Sequence, residues 1–169
     1  MVELGEIIEY EQPTKYLVNS VDYNDNFETP VLTAGQSFIL GHTNETKGIY
    51  SKNLPVIIFD DFTTASKFVD FNFKVKSSAL KILHINHEMA IVQYVYHIMQ
   101  NIKFDSSIHK RYWISEFSKL KIPLPPLKKQ EEIAEQIERE QKAVDECKKL
   151  IEIFEGKIKE KIGEVWGTP

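Results

Sequence analysis

Cysteine is almost absent. Cys147 stands alone in 169 residues, which excludes an intrachain disulfide and a cysteine-rich zinc site and predicts a reducing, cytoplasmic setting. Long apolar runs are missing as well: no segment nears the roughly 18 apolar residues of a membrane span. The opening Met1-Val2-Glu3-Leu4-Gly5-Glu6 has no basic region followed by an apolar stretch, so the reading is of a soluble chain with no membrane contact. The histidines are scattered over His42, His84, His87, His97 and His109, and the His84/His87 pair lacks a third member for a metal site. Positive charge is in short supply too. Net charge is -4, with Lys and Arg 12 against 14 acids up to Ile122 and 9 against 11 after it. A nucleic-acid binder ordinarily carries more. Any such function requires the cations to be concentrated on one face.

Proline is sparse except at one point. Pro123, Pro125 and Pro126 fall within Lys121-Ile122-Pro123-Leu124-Pro125-Pro126-Leu127, where fixed φ angles and the bias on preceding residues predict an extended hinge. The hinge divides a mixed, aromatic-rich domain (1–122) and its own span (123–127) from a helical arm (128–166). In the domain, Pro30-Val31-Leu32-Thr33, Ser37-Phe38-Ile39-Leu40 and Leu54-Pro55-Val56-Ile57-Ile58-Phe59 predict three buried strands. Phe68 to Lys76 predicts a half-exposed strand, with Phe71, Phe73 and Val75 toward the core and Asn72, Lys74 and Lys76 on the open face. Ala79 to Ile85 predicts a further strand. Asn86 is the candidate cap of a helix from His87 to Asn101, whose stripe of Ala90, Ile91, Tyr94, Val95, Ile98 and Ile102 marks a core face. The basic-aromatic cluster Lys110-Arg111-Tyr112-Trp113-Ile114 fits a surface turn with a buried Trp or, alternatively, a phosphate contact.

The arm contains no proline from Lys128 to Trp166, and its glycines, Gly156 and Gly163, come late. Ile137, Val144, Cys147, Ile151, Phe154, Ile158 and Val165 recur in steps of three and four, the repeat of a coiled-coil seam that only Glu140 and Lys161-Ile162 blur. A helix of about 38 residues would run about 57 Å, so its far half cannot pack on its own domain, and a second copy of the chain is the simplest partner. Glu131, Glu132, Glu135, Glu138, Glu140 and Asp145 oppose only Arg139 and Lys142, whereas four acids meet five lysines between Glu146 and Lys161. That gradient predicts antiparallel pairing, although the helix macrodipole favours the same distribution. The predicted class is α+β: a mixed, β-rich globular domain followed by a long C-terminal helix forming an antiparallel coiled coil.

The run from Trp113 through Ile122-Pro123-Leu124-Pro125-Pro126-Leu127 to Gln130 and Ile133-Ala134 resembles the junction between target recognition domain and helical region in specificity (S) subunits of type I restriction-modification systems. Thr29 to Gly41, Asp60 to Thr64, and Phe73 to Ser78 are similar to recognition domains of one subgroup. A full subunit has two recognition domains and two helical regions, so this chain looks like half of one. The resemblance implies a non-catalytic, DNA-binding homodimer that reads a bipartite site. It also implies methyltransferase (M) subunits, which would hold the S-adenosylmethionine, and restriction (R) subunits as partners. The residues agree that no chemistry belongs here. There is no glycine-rich phosphate loop and no Asn/Asp-Pro-Pro-Tyr/Phe motif, and Asp60-Asp61 lacks a downstream acid and lysine at nuclease spacing, which leaves the pair capping or loop closure.

Groups able to bond base edges or phosphates from loops and the open sheet face are Thr33, Gln36, Ser37, Thr63, Thr64, Lys74, Lys76, Ser77, Lys110 and Arg111. The acidic balance supports one alternative, a coiled-coil adaptor whose globular domain binds protein.

Overall fold

The first strand closes on the far end of its own domain. β1 (Val2–Glu3) pairs antiparallel with β9 (Lys121–Ile122), the last residues before the prolines. Between them run α1 (Leu4–Ile7), β2 (Ile8–Glu11), a 3-10 turn (Pro13–Tyr16), β3 (Thr29–Leu32), β4 (Ile39–Thr43), β5 (Val56–Asp60), β6 (Ser66–Val69), β7 (Lys74–Val75), β8 (Leu80–Ile85) and α2 (Val92–Asn101). After the prolines comes α3 (Leu127–Trp166). This computed structural model describes residues 1–34, 37–105, 107–108 and 110–167. The chain is α+β and divides into two compact units, Met1–Glu131 and Glu132–Pro169.

In the first unit a four-stranded antiparallel sheet, order β2-β8-β5-β6, faces a three-stranded sheet, order β4-β3-β7, in which β3 and β7 are parallel. The uninterrupted run Val56-Ile57-Ile58-Phe59 is explained by β5 being covered on both faces. Val56 and Ile58 join Val69, Leu80 and Ile82 against Leu32 and Val75 of the other sheet and the adjoining Phe73. On the reverse face Phe59 meets Trp113 and Phe117, with ring centroids 5.1 and 4.9 Å apart. Each such side chain, fully buried, contributes about 1.5–3 kcal/mol.

Several expectations need correction. Phe68 to Lys76 is two strands, β6 and β7, separated by a bend at Asp70 to Asn72, and Phe71 faces solvent. The second predicted strand begins at Ile39 and runs to Thr43, with Ile39 and Leu40 exposed. Its outer edge is uncovered, which hydrophobicity alone does not reveal. The helix after Asn86 starts at Val92. Asn86 instead closes a preceding turn, accepting Glu88 N–H on Oδ1 at 3.0 Å and Ala90 N–H on its carbonyl at 2.9 Å.

The second unit is the body of α3. From Glu138 to Trp166 its side chains are exposed, the predicted seam from Val144 to Val165 included, with Phe154 57% accessible, while Ile137 at the start of that seam is partly buried. Glycine does not interrupt the helix: Gly156 continues it, with nothing within 4 Å of the space a methyl group would fill.

Candidate nucleic-acid interface

The ends of three strands bring the predicted DNA-contacting loops together. Parallel pairing of Leu32 with Val75 sets Thr33 beside Lys76, and Lys76 N–H bonds the Leu32 carbonyl at 2.8 Å. Thr33 N–H is held by the Phe38 carbonyl at 3.0 Å. A small cleft of ≈ 40 Å³ joins this loop to the β5–β6 turn, with Thr33, Ala34, Phe38, Asp60, Ala65 and Lys67 among its lining. The Ser77 region is tied in by Asp61 N–H to the Ala79 carbonyl at 3.2 Å. Tyr112 N–H to the Asp61 carbonyl, at 2.9 Å, brings Arg111 alongside. The Arg111 guanidinium lies 5.8 Å from the centre of the Phe62 ring.

The acidic pair explains why these loops hold their shape. Asp60 accepts Phe62 N–H at 3.0 Å and the Thr63 hydroxyl at 2.5 Å, so it closes the turn. Its carbonyl takes Thr64 N–H at 2.9 Å, and Thr64 sits at φ 60°, a conformation in which a β-branched residue is strained. Asp61 points inward. It accepts Trp113 N–H at 2.8 Å and pairs with Lys81 at 3.2 Å, both side chains 2% exposed. Loop closure is therefore what the pair does, and both carboxylates are committed rather than facing outward.

The candidates divide clearly. Thr33, Ser37, Thr63, Thr64, Lys76, Ser77, Lys110 and Arg111 all lie on these loops, either exposed or partly so. Gln36 and His109 lie outside the described residues. Lys110 is shared with Glu116, whose hydrogen bond raises the ammonium pKa, and it also lies 5.3 Å from the centre of the Tyr112 ring. Lys74 does not belong to an open face. It is 1% exposed, with Nζ 2.9 Å from the Glu45 carboxylate and 2.6 Å from the Lys47 carbonyl. The polar side of β7 is roofed by the segment 43–48, so alternation could not predict its burial. Lys67, exposed at the cleft, is not among the predicted contacts; it stands in β6, just before the predicted strand, and only the fold brings it to this rim.

Glu45 is a second residue with no local signal. Its carboxylate accepts Asn19 and Ser20 N–H at 2.8 and 2.9 Å and the Asn19 amide at 3.1 Å. The Ser20 N–H first, and then Lys74, depress its pKa from 4.5 to about 2. Among the described residues no group of His, Cys, Asp and Glu is arranged to hold a metal, and no helix is long and apolar enough to cross a membrane.

Similarity to known proteins points the same way as the loops. The chain is 56% identical, over 126 residues, to the EcoR124I/EcoR124II type I restriction enzyme specificity subunit of Escherichia coli, a match covering 72% of this chain and 31% of that one. It thus spans about a third of that relative. The fold is shared with the type I restriction-modification S subunit of M. genitalium, with TM-score 0.64, 13% identity, and coverage of 90% of this chain and 41% of that one. A chain from a structural study of complex assembly and conformational transition in the type I R-M system gives TM-score 0.67 at 14% identity, covering 94% and 42%. The model of the type I restriction modification DNA specificity domain matches residues 1–155, and the chain belongs to that family.

Proposed function

We propose that this chain is the DNA-reading half of a type I restriction-modification specificity subunit, reading one half-site of a bipartite sequence in double-stranded DNA. The observation that supports it most is the gathering of Thr33, Thr63, Thr64, Lys76, Ser77 and Arg111 at one end of the two sheets, in a member of a DNA specificity family. Hydroxyls and lysines at loop tips can reach base edges in a major groove, while Lys67, Lys76 and Arg111 supply phosphate charge. Burial of Asp60 and Asp61 leaves that end less acidic than the net charge of -4 suggests.

Residues 1–122 form the recognition domain in this reading, 123–127 the hinge and 128–166 the spacer helix. Two copies pair through Ile137, Val144, Cys147, Ile151, Phe154, Ile158 and Val165 as an antiparallel coiled coil, which covers the exposed apolar stripe and creates a two-fold axis. The site read is then an inverted repeat whose spacing the helices set. Methylation of adenine falls to cytoplasmic M subunits carrying S-adenosylmethionine, and cleavage to R subunits. This chain supplies recognition and no reacting group.

Titration of fluorescent duplex with the chain and its M subunits tests the interface. Lys76→Ala and Arg111→Ala should each weaken binding about tenfold and lower the slope of log affinity against log salt by about 1. Unchanged affinity in both variants at matched salt would remove this rim from the interface.

A further inference from the structure

Gln130 is an uncharged residue in a run of exposed charges, Lys128, Lys129, Glu131 and Glu132, yet it is wholly buried, at 0% exposure. Its Oε1 accepts Ile91 N–H at 3.0 Å. Its Nε2 donates to the Met89 carbonyl at 3.0 Å and to the Pro125 carbonyl at 2.8 Å. Both amide protons and the oxygen are used, and only one orientation of the amide satisfies one N–H and two carbonyls together. Glutamate cannot donate, and an aliphatic side chain can neither donate nor accept.

The three partners belong to three different pieces of the first unit. Ile91 is the residue before α2, which has no side-chain cap of its own, so Gln130 satisfies an N–H at a helix start. Met89 belongs to the turn that Asn86 closes. Pro125 is in the hinge, and the neighbouring Pro126 carbonyl accepts Lys129 and Gln130 N–H at 2.8 and 3.1 Å, opening α3. A further bond, from the Tyr94 hydroxyl to the Pro123 carbonyl at 2.9 Å, fixes the hinge to α2. The first turn of α3 is thus fastened by one side chain to both the hinge and the α2 start.

We infer that Gln130 is a positioning residue for half-site spacing: it locks the turn through which the recognition unit is joined to the helix that measures the distance between half-sites. This rests on the dimeric, DNA-reading function proposed above. Loosening the lock leaves base contacts untouched and lets the two readers accept neighbouring spacings.

Selection from a randomised duplex pool separates these ideas, using the full chain with its M subunits. Wild type should enrich two half-sites at one spacing. Gln130→Ala should enrich the same half-sites, with discrimination against spacers one base pair longer or shorter reduced about tenfold, the size of effect expected for one coupling of hydrogen-bond strength. Where Gln130→Ala loses the half-sites through misfolding, Gln130→Met, which fills the volume without donor or acceptor, takes its place. Unaltered spacing in a folded variant, or loss of the half-sites in both variants, overturns the inference. A wild type that enriches nothing, or single half-sites only, overturns the functional reading and the inference with it.

Discussion

At the scale of single residues, the rim is held by charges that never reach solvent. Asp61 and Lys81 are paired in the interior with Trp113 N–H on the same carboxylate. Asp61→Ala strands a buried ammonium and frees an N–H, and should cost about 3–5 kcal/mol in urea unfolding. The double change Asp61→Leu, Lys81→Met should recover most of that loss; a double variant no more stable than the single one would show that the pair does not act as a unit. Glu45 makes a prediction about acid. Its pKa is depressed in the folded state, so its contribution is complete above the ordinary value of 4.5 and disappears as pH falls toward 2. Between pH 4.5 and 2 the stability difference between wild type and Glu45→Gln should shrink, and a constant difference across that window would contradict the assignment.

At the scale of elements, what the sequence could reveal depended on where each element's neighbours come from. α3 was legible because its signals are local: proline before it, strong helix formers within it, apolar residues in steps of three and four. β5 was legible because a strand covered on both sides is apolar throughout. Lys74 and Phe71 depart from the alternation because the chain bends at Asp70 to Asn72 and segment 43–48, distant in sequence, lies over the polar side of β7. Of the candidate site, the loops could be found from turn chemistry and the Asp60-Asp61 pair could be assigned to loop closure. Lys67, Glu45 and Gln130 could not, because each is defined by long-range partners. For α3 the decisive prediction concerns its exposed stripe. Phe154→Asp with Ile158→Asp should convert the proposed dimer to a monomer by light scattering and leave unfolding of the first unit unchanged, because both side chains are exposed, at 57% and 59%. A dimer that survives both charges would move the interface elsewhere.

At the scale of the whole molecule, a chain with net charge -4 can hold DNA only if its acids are turned away from the reading surface. Two are buried at the rim itself, and α3 carries many of the others on a solvated helix. The remaining constraint is symmetry. In the proposed pair, two identical readers on a two-fold axis must read the same letters in opposite directions. Sequencing the modified adenines in DNA methylated by this chain assembled with its M subunits tests that directly. A two-fold pair of readers should yield one inverted repeat interrupted by a spacer of fixed length; an asymmetric target, or no modified adenine above the level left by the M subunits alone, would contradict that arrangement.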